Sequence, residues 1–421
     1  MNHQFSRRDF LKGVSVGAGA GLLSACTFPP SVSVATPAAC PTQPICEIPP
    51  APACPTPTPA PVPPPTPVST NLDLYCWYCD FRGNGDPRCQ TGVETITPLY
   101  GDRQDPLTMK MDIKWARELG IGTFVVPAFS SVDPRLEDWF LPASEPPFEI
   151  NYALFYNPDD QGWDPAKYRL DTQIKEMKEF FARHTQHPRY KRLPDGRPVV
   201  LYFLADTVAY YFGIDKLEQT VDLLRSNLTE DIFLVGDVMY EPLAVETDPL
   251  PAHQRPDWIP RQVKAFDAIT SYYIWRAGYQ WRSAQDYNHV VSPFQDMITG
   301  YEQAFSFWGK KARESGVKMV PAPLPTGASN RLLYEAGLDP FLIDRHEGVS
   351  YETSKAMVEL GKKYVDPDLK MVIISNWNEL SEGAAVVPSV GFKFGPAHAV
   401  RDTFAVEPSG GWPEDYVPAP S

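Results

Sequence analysis

The chain has 421 residues, 43% of them hydrophobic, with 52 acidic against 38 basic side chains and a formal net charge of −14 at pH 7. That balance speaks against nucleic acid or an anionic membrane surface as a partner, since both call for a basic face. After residue 26 no stretch is apolar for long enough to span a bilayer.

Residues 1–26 read as an export signal. Ser6-Arg7-Arg8-Asp9-Phe10-Leu11-Lys12 carries a twin-arginine pattern, and a mild Gly/Ala-rich apolar stretch follows from Gly13 to Leu23. Leu23-Ser24-Ala25-Cys26 matches a lipobox, in which Cys26 becomes the lipidated first residue of the mature chain. An N-terminal membrane helix is the competing reading, but Gly13 to Ala25 is too short to cross a bilayer. The expectation is an exported lipoprotein of the bacterial cell envelope, touching the membrane only through its lipid anchor. Residues 27–70 hold sixteen of the 46 prolines and almost no charge. Such a segment buries no core and favours extended polyproline II, so it is expected to be a disordered linker.

Residues 71–421 are left for one domain. Leu72–Tyr78 reads as a first strand, Leu107–Leu119 as an amphipathic helix and Ile121–Pro127 as a second strand. Tyr168–His184 is a helix, Pro198–Leu204 strand three, Lys216–Leu228 a helix and Ile232–Asp237 strand four. Ala265–Tyr272 is strand five, Phe294–Ser315 a helix and Val317–Pro321 strand six. Leu342–Ile343 is a weak strand seven, Tyr351–Tyr364 a helix, Met371–Ser375 strand eight and His398–Phe404 the last helix. Eight alternating strand–helix units fit an α/β (β/α)8 TIM barrel with long βα loops. A doubly wound open sheet is the alternative, without any glycine-rich phosphate fingerprint in its favour. The stretches Asp133–Pro165 and Tyr240–Pro260 are too long for plain connections and are expected to wall a binding site.

Seven cysteines are present. Cys76-x-x-Cys79 has neither a second pair nor a helix start beside it, which weakens a zinc or redox reading. In an oxidising compartment a disulfide from Cys79 to Cys89, across a loop containing Gly83 and Gly85, is the expected use. The histidines make no metal-ligand spacing, and no metal or organic cofactor is implied.

In a parallel barrel, chemistry sits at the carboxyl ends of the strands. Residues just past those ends include Trp77 and Tyr78, then Tyr202 and Asp206, then Asp237 and Tyr240, and then Tyr272, Tyr273 and Trp275. Together they describe an acidic, aromatic-lined cleft suited to an oligo- or polysaccharide. The most informative stretch follows the last strand, where Trp377, Asn378, Glu379 and Glu382 come in quick succession. The i, i+3 spacing of Glu379 and Glu382 puts both carboxylates on one side of any helical turn, the pairing that glycosidic bond cleavage needs.

Trp377-Asn378-Glu379-Leu380-Ser381-Glu382-Gly383 resembles the WNEWxEG signature of glycoside hydrolase family 99 and its WbsX-like relatives. Leu380 stands where that family usually has Trp, and Val387 where it often has Glu. The segment from Pro321 to Asn330 and Arg331 lies where WbsX-like proteins have a Pro-Gly-Trp-Asp-Asn run ending in arginine, which adds Asn330 and Arg331 to the expected binding residues. The resemblance implies retention of configuration. Glu379 would draw the proton from the sugar's own 2-hydroxyl, which attacks the anomeric carbon, and Glu382 would protonate the leaving oxygen and later activate water. From the residues alone, the commoner route with a carboxylate nucleophile stays open. Two other classes stay open as well: a glycan-binding lipoprotein without turnover, and a solute-binding lipoprotein, though no midpoint hinge is visible in 72–421.

A Cys26→Ser chain is expected to be released as soluble protein. Fractionation of cells expressing it checks the anchor, and tight membrane association would require a second attachment.

Overall fold

The structure is a computed structural model and describes residues 72–78, 106–128, 136–144, 149–156, 170–239, 257–272, 274, 277–279, 289–335, 337 and 342–406. The expected signal and linker, together with Cys26, Cys79, Cys89, Tyr240, Tyr273 and Trp275, lie outside those residues.

Among the described residues ten strands fall into two sheets. The larger holds β1 (Asp73–Trp77), β2 (Ile121–Ala128), β3 (Asn151–Tyr156), β4 (Val199–Tyr202), β5 (Phe233–Asp237), β6 (Ala268–Thr270), β8 (Lys318–Met319) and β10 (Met371–Ile374), and the smaller holds β7 (His289–Val291) and β9 (Leu342–Asp344). The eight strands of the larger sheet are parallel and follow the order β10-β1-β2-β3-β4-β5-β6-β8. β8 is only two residues long, but the chain beyond it continues the ladder. Ile373 N–H donates to Pro321 O at 3.1 Å and Ser375 N–H to Pro323 O at 3.0 Å, so β10 meets the extension of β8 and the sheet closes on itself. The (β/α)8 barrel expected from the alternation is therefore present.

One of its strands is not where the sequence pattern put it. The third barrel strand is β3, inside the stretch read as a binding-site wall, and it pairs with β2 over six residues from Thr123↔Asn151 to Ala128↔Tyr156. Prolines on both sides of this apolar run suggested a loop, yet all but its first residue are buried. Conversely, the expected strand seven is real as β9 but lies outside the barrel, paired in parallel with β7.

Helices cover the outer face. They include α1 (Pro106–Glu118), α2 (Leu170–His184), α3 (Ala205–Phe212), α4 (Ile214–Asn227), α5 (Ile259–Lys264), α6 (Phe294–Ser315), α7 (Arg331–Glu335), α8 (Tyr351–Lys363) and α9 (Gly395–Thr403). The longest, α6, buries Phe294, Met297, Ile298, Tyr301, Ala304, Phe305, Trp308 and Ala312, a stripe with helical spacing that faces the sheet. α8 starts on a capping box between Ser350 and Thr353. Among the described residues no helix is long and apolar enough to cross a membrane.

With apolar packing on both faces of the strands, alternation separates two layers of rings. Tyr156, Tyr202 and Phe266 pack edge-on or tilted on the helix side, at 5.4 and 6.0 Å between successive centroids. Trp77, Phe155, Phe203 and Tyr272 pack on the inner side. Gly236 on β5 leaves room for Phe266, whose ring carbons would lie 2.4–2.6 Å from a Cβ placed there.

Gly236→Ala is accordingly expected to destabilise the domain by about 1–3 kcal/mol, the cost of overpacking a buried site. Denaturant unfolding checks it, and no change in midpoint would mean that the Phe266 ring moves freely.

Candidate active site

β10 delivers the chain into a compact turn. Val386 N–H bonds to Asn376 O at 2.8 Å, Val387 N–H to Trp377 O at 3.1 Å and Ala384 N–H to Glu379 O at 3.0 Å, so residues 376–387 fold back on themselves. The peptide between Ser375 and Asn376 is cis. Trp377 N–H donates to Trp77 O at 2.7 Å, which ties the turn to the end of β1. At its tip Leu380–Glu382 forms a 3-10 helix with Glu379 as the residue capping its start. In a 3-10 helix residues three apart eclipse, so one turn carries Glu379 and Glu382. Glu379 is 7% exposed, whereas Glu382 is half-buried.

The Glu379 carboxylate meets the barrel through Tyr272, whose hydroxyl donates to Oε2 at 3.0 Å. Tyr272 is fixed in turn by Asp237, the last residue of β5. Asp237 Oδ1 accepts from Tyr272 N–H at 2.9 Å, and Oδ2 accepts from Leu204 N–H at 3.1 Å. Ser375 Oγ donates to Tyr272 O, closing the link back to β10. Tyr272 is itself one of four packed rings from four strand ends. Trp77 stands 5.2 Å from Phe155 and 5.4 Å from Tyr272, and Phe203 stands 5.1 Å from Tyr272. All four are buried. A carboxylate bonded to such a cluster works in a medium less polarisable than water, where its interactions with a bound molecule are strengthened.

The expected site residues separate into two groups. Trp77, Tyr272, Asn378 and Glu379 belong to this mouth or its turn, with Glu382 at the tip and Asp206 buried in the first turn of α3 just past Phe203. Tyr78, Trp377, Tyr202, Asn330 and Arg331 point elsewhere. Tyr78 packs on Phe124 at 4.9 Å and donates its hydroxyl to Asp112 of α1 at 2.9 Å. The Trp377 ring is fully buried and lies 5.5 Å from the same Phe124, so it packs with the outer cluster rather than with Trp77. Tyr202 faces the helices. The Asn330 carboxamide oxygen accepts from Ile343 N–H at 2.7 Å and holds β9, while Arg331 is exposed and pairs with Asp344 and Glu335. Phe155 and Phe203 were missed. The signal for Phe203 was parity, since it follows the outward-facing Tyr202, and Phe155 was lost with β3. Among the described residues no three His, Cys, Asp or Glu side chains gather as a metal site would require.

No family model matches the chain, and no curated protein does. Its fold is similar to a solved glycoside hydrolase-like protein at TM-score 0.55 and 15% identity, over 82% of this chain and 96% of that one. It is also similar to a GH99 endo-alpha-mannosidase from Bacteroides thetaiotaomicron, at TM-score 0.51 and 14% identity over 80% of this chain and 96% of that one. A second structure of that enzyme gives TM-score 0.50 at 14% identity. At such identities the likeness is one of fold.

Gly383 closes the carboxylate turn with φ +65°, and a Cβ there would lie 2.5 Å from Ser329 O and 2.6 Å from Ser329 N. Gly383→Ala is expected to cost about 1–3 kcal/mol through backbone strain and contact, and to push the Glu382 turn away from Ser329. Unfolding and a crystal structure of the variant check both halves, and an unmoved turn at native stability would refute them.

Proposed function

We propose that the chain is an envelope-anchored glycoside hydrolase that cleaves α-linked glycosidic bonds of a mannan-like or other polysaccharide, with retention of configuration. The observation that carries this reading is the pair of glutamates on one turn at the barrel mouth, one buried and held by a phenol, the other half-buried. Two carboxylates in unlike surroundings suit unlike tasks, one as base and one as acid. The fold likeness to GH99 endo-alpha-mannosidases supports the same reading and favours an α-mannosidic linkage. The twin-arginine pattern and the lipobox at Cys26 support export and lipid anchoring.

In the proposed reaction Glu379, oriented by Tyr272, takes the proton of the sugar's 2-hydroxyl, and that oxygen attacks the anomeric carbon as the glycosidic bond breaks. Glu382 protonates the departing oxygen. The resulting anhydro-sugar is opened by water, from which Glu382 takes a proton while Glu379 returns its own to the 2-oxygen. Trp77, Phe155, Phe203 and Tyr272 exclude water beneath the reacting carbon and hold the Glu379 carboxylate in register. A second reading, a glycan-binding lipoprotein without turnover, draws on Leu380 and Val387. Both are buried in apolar contacts where the family signature has Trp and Glu.

A panel of α-mannans and α-glucans identifies the cleaved glycan. On it, Glu379→Gln and Glu382→Gln are each expected to cut turnover by about 10²–10⁴-fold with sugar binding nearly intact. An activated leaving group should partly rescue Glu382→Gln but not Glu379→Gln, and a 2-deoxy substrate should be inert. Turnover of the 2-deoxy sugar would favour a carboxylate nucleophile, and binding without cleavage by the unmodified chain would favour the second reading.

A further inference from the structure

The turn that carries Glu382 docks on a frame built by a different part of the chain. Residues 328–330 and 343–345 run antiparallel: Arg345 N–H donates to Ala328 O at 2.8 Å and Asn330 N–H to Ile343 O at 3.0 Å. The Asn330 side chain adds its bond to Ile343 N–H at 2.7 Å, and β9 within this frame pairs with β7. Phe294 N–H, at the start of α6, donates to Glu347 O at 2.8 Å and fixes the far end.

Two contacts join the glutamate turn to that frame, and they fall on successive carbonyls. Ser329 N–H donates to Glu382 O at 2.9 Å, and His346 Nε2 lies 2.8 Å from Gly383 O. A carbonyl only accepts, so Nε2 carries the hydrogen. Burial pushes the His346 imidazole below its ordinary value, which keeps the ring neutral near pH 7 with its one N–H committed to Gly383. The Phe392 ring meets the imidazole edge-on at 5.3 Å and sets its plane. Gly383 leaves no slack on this side, because a Cβ there would stand 2.8 Å from His346 Cε1.

We propose that His346 is a positioning residue for Glu382, acting through the Gly383 carbonyl to hold the 3-10 turn at the height the acid needs; this rests on Glu379 and Glu382 being the catalytic pair. His346 contacts the Gly383 carbonyl and the Phe392 ring, and is assigned no contact with the reacting atoms. Its influence is geometric, and in catalysis a misplacement of about 1 Å costs on the order of 10²-fold.

Two variants separate this role from general support of the fold. His346→Phe keeps a ring against Phe392 and removes the donor, while His346→Gln keeps an N–H within reach of Gly383 O. The first readout is amide hydrogen exchange of Ser329 and of the 380–386 turn, which requires no substrate. His346→Phe should speed it about fivefold or more, as expected for one lost hydrogen bond, and His346→Gln should stay near native. The second readout is turnover of the glycan that the unmodified enzyme cleaves. His346→Phe should lower kcat by about 10–10²-fold at unchanged KM, and His346→Gln should recover most of it. Native exchange in His346→Phe would overturn the proposal, as would a kcat equal to native or a His346→Gln variant no better than His346→Phe. If the unmodified chain cleaves no glycan, the hydrolase reading falls, and the exchange result still decides whether His346 fixes the turn.

Discussion

Two backbone amides from different strand ends, Leu204 N–H and Tyr272 N–H, converge on the carboxylate of Asp237, one on each oxygen. A carboxyl group this deep is tolerated only when hydrogen bonds replace the water it has lost. The compensation also does geometry. Asp237 ends β5, so its oxygens pull the chain leaving β4 and the chain leaving β6 toward the same point. Phe203 and Tyr272 are thereby set ring to ring, and the Tyr272 hydroxyl is aimed at Glu379. Leu204 takes φ 52° at this place, a conformation uncommon for a residue with a side chain, and its amide is one of the two that Asp237 holds.

The glutamates reach the mouth on one turn but are steadied by different neighbours. Glu379 leans on the barrel through Tyr272, and so on β5 and β6. Glu382 is steadied by backbone contacts to Ser329 and, across Gly383, to His346, a frame that belongs to β9 and the start of α6. Their relative placement therefore depends on two supports, one on each side of the turn. This gives residues that touch neither carboxylate, such as Asn330, whose side chain holds β9, a route to influence them without approaching a ligand.

The glutamate turn was legible as the end of a barrel strand because a short β-branched run is followed at once by carboxylates, amides and an indole. The count of eight strands was legible from alternation, yet two assignments were exchanged. β3 was hidden by its flanking prolines, and the weak run at Leu342 took its place in the count. The choice of Tyr202 over Phe203 shows a further difficulty. Where both faces of a parallel strand are apolar, a period of two says that neighbours face opposite ways but not which one faces inward. Only contacts distant in sequence decide that. Here Phe266 over Gly236 claims the outer side for Tyr202, leaving Phe203 to the barrel mouth. Trp377 illustrates the same point for a loop, since its neighbours in sequence are polar and its neighbour in space is Phe124.

The pairing of β1 with β10 joins the first described strand to the last one, from Asp73↔Met371 to Cys76↔Ile374. The partners are separated by most of the domain, so the loop they close is among the longest the fold contains, and such contacts form late. On a ribosome the strand carrying Trp77 waits, with its edge unpaired, until Met371 and the residues after it have been made. A nascent or truncated chain therefore holds an incomplete ring and no glutamate turn. The ring and the glutamate turn are thus completed together, as a single event and not by degrees.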